Sequence, residues 1–306
     1  MNRLVIRVPA STANLGPGFD SVGMALNRFL TLEVLSSEEW VFEQVSPLLP
    51  PLPEDSDPFI LKIARQVADL YGVQLAPCKV IVDSEIPLAR GLGSSASAVV
   101  AGIELANFAG NLRLSLAEKL DIATRIEGHP DNVAASLFGG LVVSAEQGDG
   151  RVEVVPFFDI MADLLLFIPG YELKTEDARK VLPDFYARKE AVKGSAASNL
   201  FIAALISGQY ELAGKMMEQD RFHEPYRTKL IPEFLEIRRL AKSLGAYGTV
   251  ISGAGPTVIS LVPSGQAEAM AETIHAHFPH VLVEPAKIDR TGLSVEKYAA
   301  SNMLNL

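Results

Sequence analysis

The sequence predicts a two-domain protein of mixed strands and helices, and three observations carry that expectation. The chain has 306 residues, long for one core and suited to two domains of ordinary size. Hydrophobic residues make up 48%, which allows sizeable cores and argues against disorder. Along it, β-branched apolar runs take turns with helical-length apolar or amphipathic segments, punctuated by Gly and Pro. Pro169-Gly170 is the expected junction, giving domains 1–168 and 169–306.

Residues 4–8 alternate and predict a strand ending at Pro9. Next, Pro9-Ala10-Ser11-Thr12-Ala13-Asn14-Leu15-Gly16-Pro17-Gly18-Phe19-Asp20-Ser21-Val22-Gly23-Met24-Ala25-Leu26 reads as a shaped loop rather than an element. Asn14 and Asp20 either grip a small polar ligand there or support the loop as Asx-turn residues. Residues 29–35 and 40–45 predict strands, and 48–57 a proline- and acid-rich connector. Pro58 opens a helix to about Tyr71, with Ile60, Ile63, Ala64 and Val67 on one face.

Lys79-Val80-Ile81-Val82 predicts a strand, and residues 97–108, almost uncharged, predict a helix buried on most sides. Between them lies Pro87-Leu88-Ala89-Arg90-Gly91-Leu92-Gly93-Ser94-Ser95-Ala96-Ser97-Ala98. Glycines and serines at a helix start leave backbone N–H groups and the positive dipole end open to an anion. Serine hydroxyls there can donate to phosphate or reach Mg²⁺. This stretch is therefore read as a phosphate cradle. Gly91-x-Gly93-x-x-Ala96 also fits the loose dinucleotide fingerprint, but the loop is too long after its strand. No lysine follows the glycines, which excludes a P-loop.

Ser115-Leu116-Ala117-Glu118 is a capping box opening a helix to about Glu127. In Glu127-Gly128-His129-Pro130-Asp131-Asn132 a carboxylate is placed to share Mg²⁺ with a cradle serine and nucleotide phosphates. Residues 141–144, 151–155 and 164–168 predict strands, and the charged run 174–193 a solvated helical face. Thr175 and Arg179 lie one turn apart on it and can face a ligand together. Helices are expected over 197–206, 210–218, 232–244 and 267–278, with Arg227 after a Pro-Tyr turn able to fork onto a carboxylate or to form a surface ion pair. Strands 247–252 and 257–262 flank a second glycine-rich loop, Gly253-Ala254-Gly255-Pro256, and further strands are expected near 281–283 and 286–288.

A net charge of −10 argues against nucleic acid or an anionic membrane as partner, though not against a locally cradled anion. One cysteine, Cys78, excludes disulfides and a cysteine-rich metal site. With no signal-peptide pattern at the N-terminus and no apolar run of spanning length, a cytoplasmic protein is expected.

Three segments in order, 9–26, 87–98 and 252–257, together resemble the GHMP kinases, a superfamily of small-molecule kinases. Ser-Thr-Ala-Asn-Leu-Gly-Pro-Gly-Phe-Asp at 11–20 and His129-x-Asp131-Asn132 resemble its homoserine-phosphorylating branch. The resemblance implies a two-domain α+β fold, its N-terminal part like ribosomal protein S5 domain 2 and its C-terminal part ferredoxin-like. It implies transfer of the ATP γ-phosphate to the hydroxyl of L-homoserine, giving O-phospho-L-homoserine for threonine synthesis, and a homodimer. Pro87 to Ser97 would wrap the triphosphate, with Ser94 or Ser95 near Mg²⁺ and Glu127 as metal carboxylate, Asp121 being the competing assignment. Asn14 would touch the substrate hydroxyl and Asp20 its ammonium. Arg179 and Arg227 would hold its carboxylate, with His129, Thr175 and Gly253 lining the same pocket. Asn132 stands where related kinases for mevalonate and galactose place an aspartate base, and an amide takes no proton at neutral pH. Catalysis by alignment and charge neutralisation, without a dedicated protein base, is therefore expected. Asp57-Pro58-Phe59 replaces the pair the family often shows near adenine, so base contacts stay unassigned. Rival readings are a kinase for an isoprenoid precursor and a non-catalytic sensor on the same fold.

Overall fold

The computed structural model describes residues 3–52 and 56–298, so three residues of the expected connector lie outside the described residues. In order, the chain forms β1 (Arg3–Ala13), β2 (Val22–Ser36), β3 (Val41–Gln44), α1 (Phe59–Tyr71), β4 (Cys78–Ser84), α2 (Ser94–Ala109), α3 (Leu116–Glu127), α4 (Asp131–Phe138), β5 (Leu141–Glu146) and β6 (Val152–Phe157). There follow β7 (Asp163–Pro169), α5 (Thr175–Lys180), α6 (Arg188–Ile206), α7 (Tyr210–Met217), α8 (Glu224–Arg227), α9 (Phe234–Ser243), β8 (Gly248–Ile251), β9 (Val258–Val262), α10 (Ala267–His275), β10 (Val281–Ala286) and β11 (Ser294–Tyr298).

The first sheet runs β11-β1-β2-β4-β3, and β2 is its spine. The far half of β2 pairs with β4, its near half with β5, and β6 adds beyond β5. Residues 9–26 are therefore not one loop. β1 continues through Pro9 to Ala13, and the irregular part shrinks to residues 14–21. Pro9 is tolerated because β1 has finished pairing with β11 at Arg7 and its register with β2 slips between Pro9 and Ala10. Helix α2 is buried all along its middle, as its sequence with a single charge, Glu104, predicts, and α1 lays Ile60, Leu61, Ile63, Ala64 and Val67 inward. The capping box at α3 is formed in both directions between Ser115 and Glu118.

The second sheet, β10-β7-β9-β8, is antiparallel throughout. Strand, helices, two strands, helix, strand in spatial order fourth-first-third-second is the ferredoxin-like arrangement. Alternation assigns each strand's side chains to a face. Leu164, Leu166, Ile259 and Leu261 join the large core that runs into the first sheet's helices, whereas Leu165, Phe167, Val258 and Val262 pack against α9 and α10 through Phe234, Ile237 and Ile274. The two halves thus share one continuous apolar core.

Two expectations about boundaries change. The strand before Pro169-Gly170 belongs to the second sheet, so the crossing between sheets precedes Asp163. The last strand, β11, returns to pair with β1, an interaction between chain ends that local sequence does not announce. Of the tail strands expected near 281–283 and 286–288, the first extends to Ala286 as β10, whose edge position accommodates Pro285, and beyond it Ile288 makes only an isolated bridge to Leu26.

Gly23 of β2 is where α4 meets the sheet, since a Cβ there would lie 2.1 Å from the Asp131 carbonyl oxygen. Gly23→Ala is expected to cost about 2–3 kcal/mol by overpacking. Gly148→Ala, in open space, should stay within about 0.5 kcal/mol. Chemical denaturation of both variants against the parent measures the contrast.

Candidate active site

Three loops meet between the sheets and build the site by bonding to one another. The β1–β2 loop (14–21), the cradle (87–93) and the β8–β9 turn (252–257) are joined pairwise. Ser11 N–H donates to the Leu92 carbonyl at 3.1 Å, and Thr257 N–H to that of Arg90 at 3.2 Å. Gly253 N–H donates to the Ala13 carbonyl at 3.0 Å, and the Ser252 hydroxyl lies 2.6 Å from the Gly91 carbonyl and 2.8 Å from Thr12 Oγ1. Gly91, at φ +76°, leaves no room for a side chain: a Cβ would sit 2.4 Å from the Ser252 carbonyl oxygen. At Gly93, φ +69°, it would sit 2.1 Å from Ser11 Oγ.

Gly93 is also the N-cap of α2, which has no side-chain cap. The amides of Ser94, Ser95 and Ala96 therefore open, with the dipole's positive end behind them, onto a cleft of about 280 Å³. Ala89, Gly91, Gly93, Ser94, Ser95 and Ala96 line that cleft. The remaining cradle residues do other work. Leu92 is in the core, and the Ser97 hydroxyl turns inward to the carbonyls of Pro9 and Gly93. Arg90 ties its own loop to Gly170, and Leu88 lines the next cavity; Pro87 does not reach the cleft.

Glu127, ending α3, accepts from Ser95 Oγ at 2.6 Å on the cleft wall. Asp121 is not part of the cleft lining. It sits elsewhere on α3 and accepts from Val152 N–H. Of the two serines expected near the metal, Ser94 borders both the cleft and the second cavity, whereas Ser95 is the one that touches Glu127. An all-oxygen pair at an open phosphate-sized turn fits a hard divalent cation.

The opposite end of the cleft carries both charge signs. Asn14, Asp20, His129, Thr175, Arg179, Arg227 and Gly253, expected from sequence, all line it, and so does Asn132. Asp20 and Arg179 are joined by two hydrogen bonds, 2.7 and 3.2 Å. Asn14, at φ +70°, donates to the Gly253 carbonyl and accepts from Asp20 N–H, so its amide shapes the loop as well as facing the cleft. The Asn132 amide oxygen accepts from Ser11 Oγ at 2.9 Å. Arg227 is only 2% exposed. Burial, together with the neighbouring Arg179 guanidinium, pushes its pKa down to about 10, so it remains a cation at neutral pH.

Sequence reading missed three groups here. Asp131 lies 2.7 Å from His129 Nδ1 and orients that ring. Burial lowers the His129 pKa, but the Asp131 hydrogen bond and charge, with Asp20, outweigh it and hold it above the ordinary value. The His-x-Asp spacing is the signal that marks this pair. Phe19 packs its face against the guanidinium carbons of Arg179 and Arg227, at 5.7 and 5.5 Å from its centroid. Lys174, beside Thr175, adds an exposed cation to the cleft wall. A second cavity, of about 340 Å³ and mostly apolar, adjoins the first through Ser94 and is walled by Leu30, Phe42, Leu49, Val82 and Ala98. Among the described residues no helix is long and apolar enough to cross a membrane.

Known proteins share this construction. Residues 58–140 match the profile of the GHMP kinases N terminal domain, and 201–280 that of the GHMP kinases C terminal. A homoserine kinase of Staphylococcus saprophyticus is 49% identical over 296 residues, covering 96% of this chain and 97% of the relative. A candidate homoserine kinase from Listeria monocytogenes superposes with a TM-score of 0.83 at 40% identity, over 96% of this chain and all of that one. The homoserine kinase of Cytophaga hutchinsonii gives 0.82 at 26% identity, over 96% and 97%. Fold, cleft and near full-length similarity agree: the chain belongs to the GHMP kinase family.

Proposed function

We propose that the cleft transfers the γ-phosphate of ATP to the side-chain hydroxyl of L-homoserine, giving O-phospho-L-homoserine on the way to threonine. One observation carries this reading: a single cleft joins an uncapped helix N-terminus to a pocket with paired carboxylates and guanidinium groups. A zwitterionic amino acid needs both signs, and phosphates need the helix end.

Each residue then has a task. The Ser94, Ser95 and Ala96 amides donate to phosphate oxygens, and the apolar cavity beyond Ser94 seats the base. Glu127 with Ser94 or Ser95 would hold Mg²⁺, which would neutralise phosphate charge. Arg227 and Arg179, beside Thr175 and the Gly253 turn, take the substrate carboxylate, while Asp20 and the His129–Asp131 pair face its ammonium. Asn14 and Asn132 orient the hydroxyl. Among the described residues, each carboxylate of the cleft wall already has a partner. Asp20 is engaged by Arg179, Asp131 by His129 and the Asn132 N–H, and Glu127 by Ser95. With the amide of Asn132 on the cleft wall in place of an aspartate, the hydroxyl proton passes to the phosphoryl group, and the enzyme's contribution is alignment and charge. The part of the chain before Asp163 supplies the nucleotide seat and the part from Asp163 onward completes the substrate site, in a cytoplasmic homodimer.

Two substitutions separate the two seats. Arg179→Ala removes a charged partner of the amino acid. It is expected to raise KM for homoserine at least about tenfold while KM for ATP stays within about twofold. Ala98→Leu fills the apolar cavity and should do the reverse, raising KM for ATP about tenfold at unchanged KM for homoserine. Coupled ADP-release kinetics with each substrate varied in turn reads both.

A further inference from the structure

His223 is wholly buried and lies outside the cleft wall, yet it touches two of the elements that form the site. Its Nε2 is 2.9 Å from the carbonyl oxygen of Gly16 in the β1–β2 loop and 3.5 Å from Asp220 Oδ2. Its Nδ1 is 3.2 Å from Arg227 Nη1. These neighbours decide the tautomer. Nε2 faces oxygen acceptors and must carry hydrogen, while Nδ1 faces a guanidinium that has only donors and must present its lone pair. Burial, together with the Arg227 charge, disfavours a second proton and outweighs the Asp220 carboxylate, which favours it.

The ring's own mounting is rigid. The Asp220 carboxylate accepts the N–H groups of Phe222, His223 and Glu224, and Glu224 is itself held by Ile251 N–H and Arg238. On its face the imidazole stacks on Phe19, centroids 5.3 Å apart. Arg227 is then fixed from three sides: Nε donates to the Ala178 carbonyl, and Nη1 to that of Gly253 and to His223. Among the described residues Nη2 has no protein acceptor.

We propose that His223, as the neutral Nε2–H tautomer, is a positioning residue that aims Arg227 at the substrate carboxylate and locks the β1–β2 loop to the α8 turn. This rests on the reading of Arg227 as a carboxylate ligand. The two polar edges can be separated by substitution. His223→Asn keeps an acceptor where Nδ1 stood, whereas His223→Gln keeps a donor near Gly16 and withdraws the acceptor from Arg227.

The test is steady-state kinetics of the full chain, with Tm recorded for each variant. His223→Gln should raise KM for homoserine about tenfold with KM for ATP within about twofold, and His223→Asn should recover most of that loss. In an Arg227→Ala background His223→Gln should add less than about twofold, because the group it aims is gone. ¹⁵N NMR of histidine-labelled protein should show Nδ1 unprotonated and Nε2 protonated. Equal losses for the two variants, an undiminished His223→Gln effect without Arg227, or a protonated Nδ1 would each overturn the proposal. If Arg227→Ala alone leaves KM for homoserine unchanged, the carboxylate assignment fails, and His223 with it. An altered KM for Arg227→Ala beside additive losses would sink only the role of His223.

Discussion

The site depends on one constraint: three loops far apart in sequence must touch backbone to backbone. Gly91 rests on the Ser252 carbonyl and Gly93 on Ser11, and the hydrogen bonds between 11–13, 90–92 and 252–257 close the set. A methyl group at Gly91 would meet backbone oxygens of the 252–257 turn and wedge the loops apart by more than side-chain adjustment can absorb. Because the loops meet, the start of α2 is left bare where another helix would place a capping side chain. The phosphate seat follows from packing, not from any single phosphate-binding residue.

Charge explains how an acidic protein can hold an anionic nucleotide beside a zwitterionic amino acid. The chain's net charge is −10, yet the cleft presents a helix end, Arg179, Arg227 and Lys174. Short-range dipoles and buried cations dominate there, since distant surface charges are screened within about 10 Å. At the amino-acid end the charges already balance in part, with Asp20 on Arg179 and Asp131 on His129. A zwitterion entering such a pocket brings no net charge and leaves no ion unpaired, whereas a simple carboxylate or amine would strand one.

Local features of the sequence were legible because they are local. The glycine turns, the capping box, the almost uncharged α2 and the alternating strands each need only a few neighbours to be read. The spread of pocket residues over 14–253 became readable only through the family resemblance, and the structure brings them to one cleft. Other points were closed to sequence. Asp121 and Glu127 are both carboxylates on α3, but six residues is about 240° of helical rotation, so only one can face the cradle. Nothing local says which. His223 was overlooked because its partner is a carbonyl some two hundred residues away, and backbone oxygens carry no residue-specific signal. Ser97 looked like its neighbours Ser94 and Ser95, yet one further turn into the helix points its hydroxyl into the core.

A crystal structure with a non-hydrolysable ATP analogue and homoserine would test the central claim most directly. The account predicts phosphate oxygens within hydrogen-bond reach of the Ser94, Ser95 and Ala96 amides, and the amino acid's carboxylate at Arg227. A nucleotide whose phosphates lie away from the first turn of α2 would contradict it.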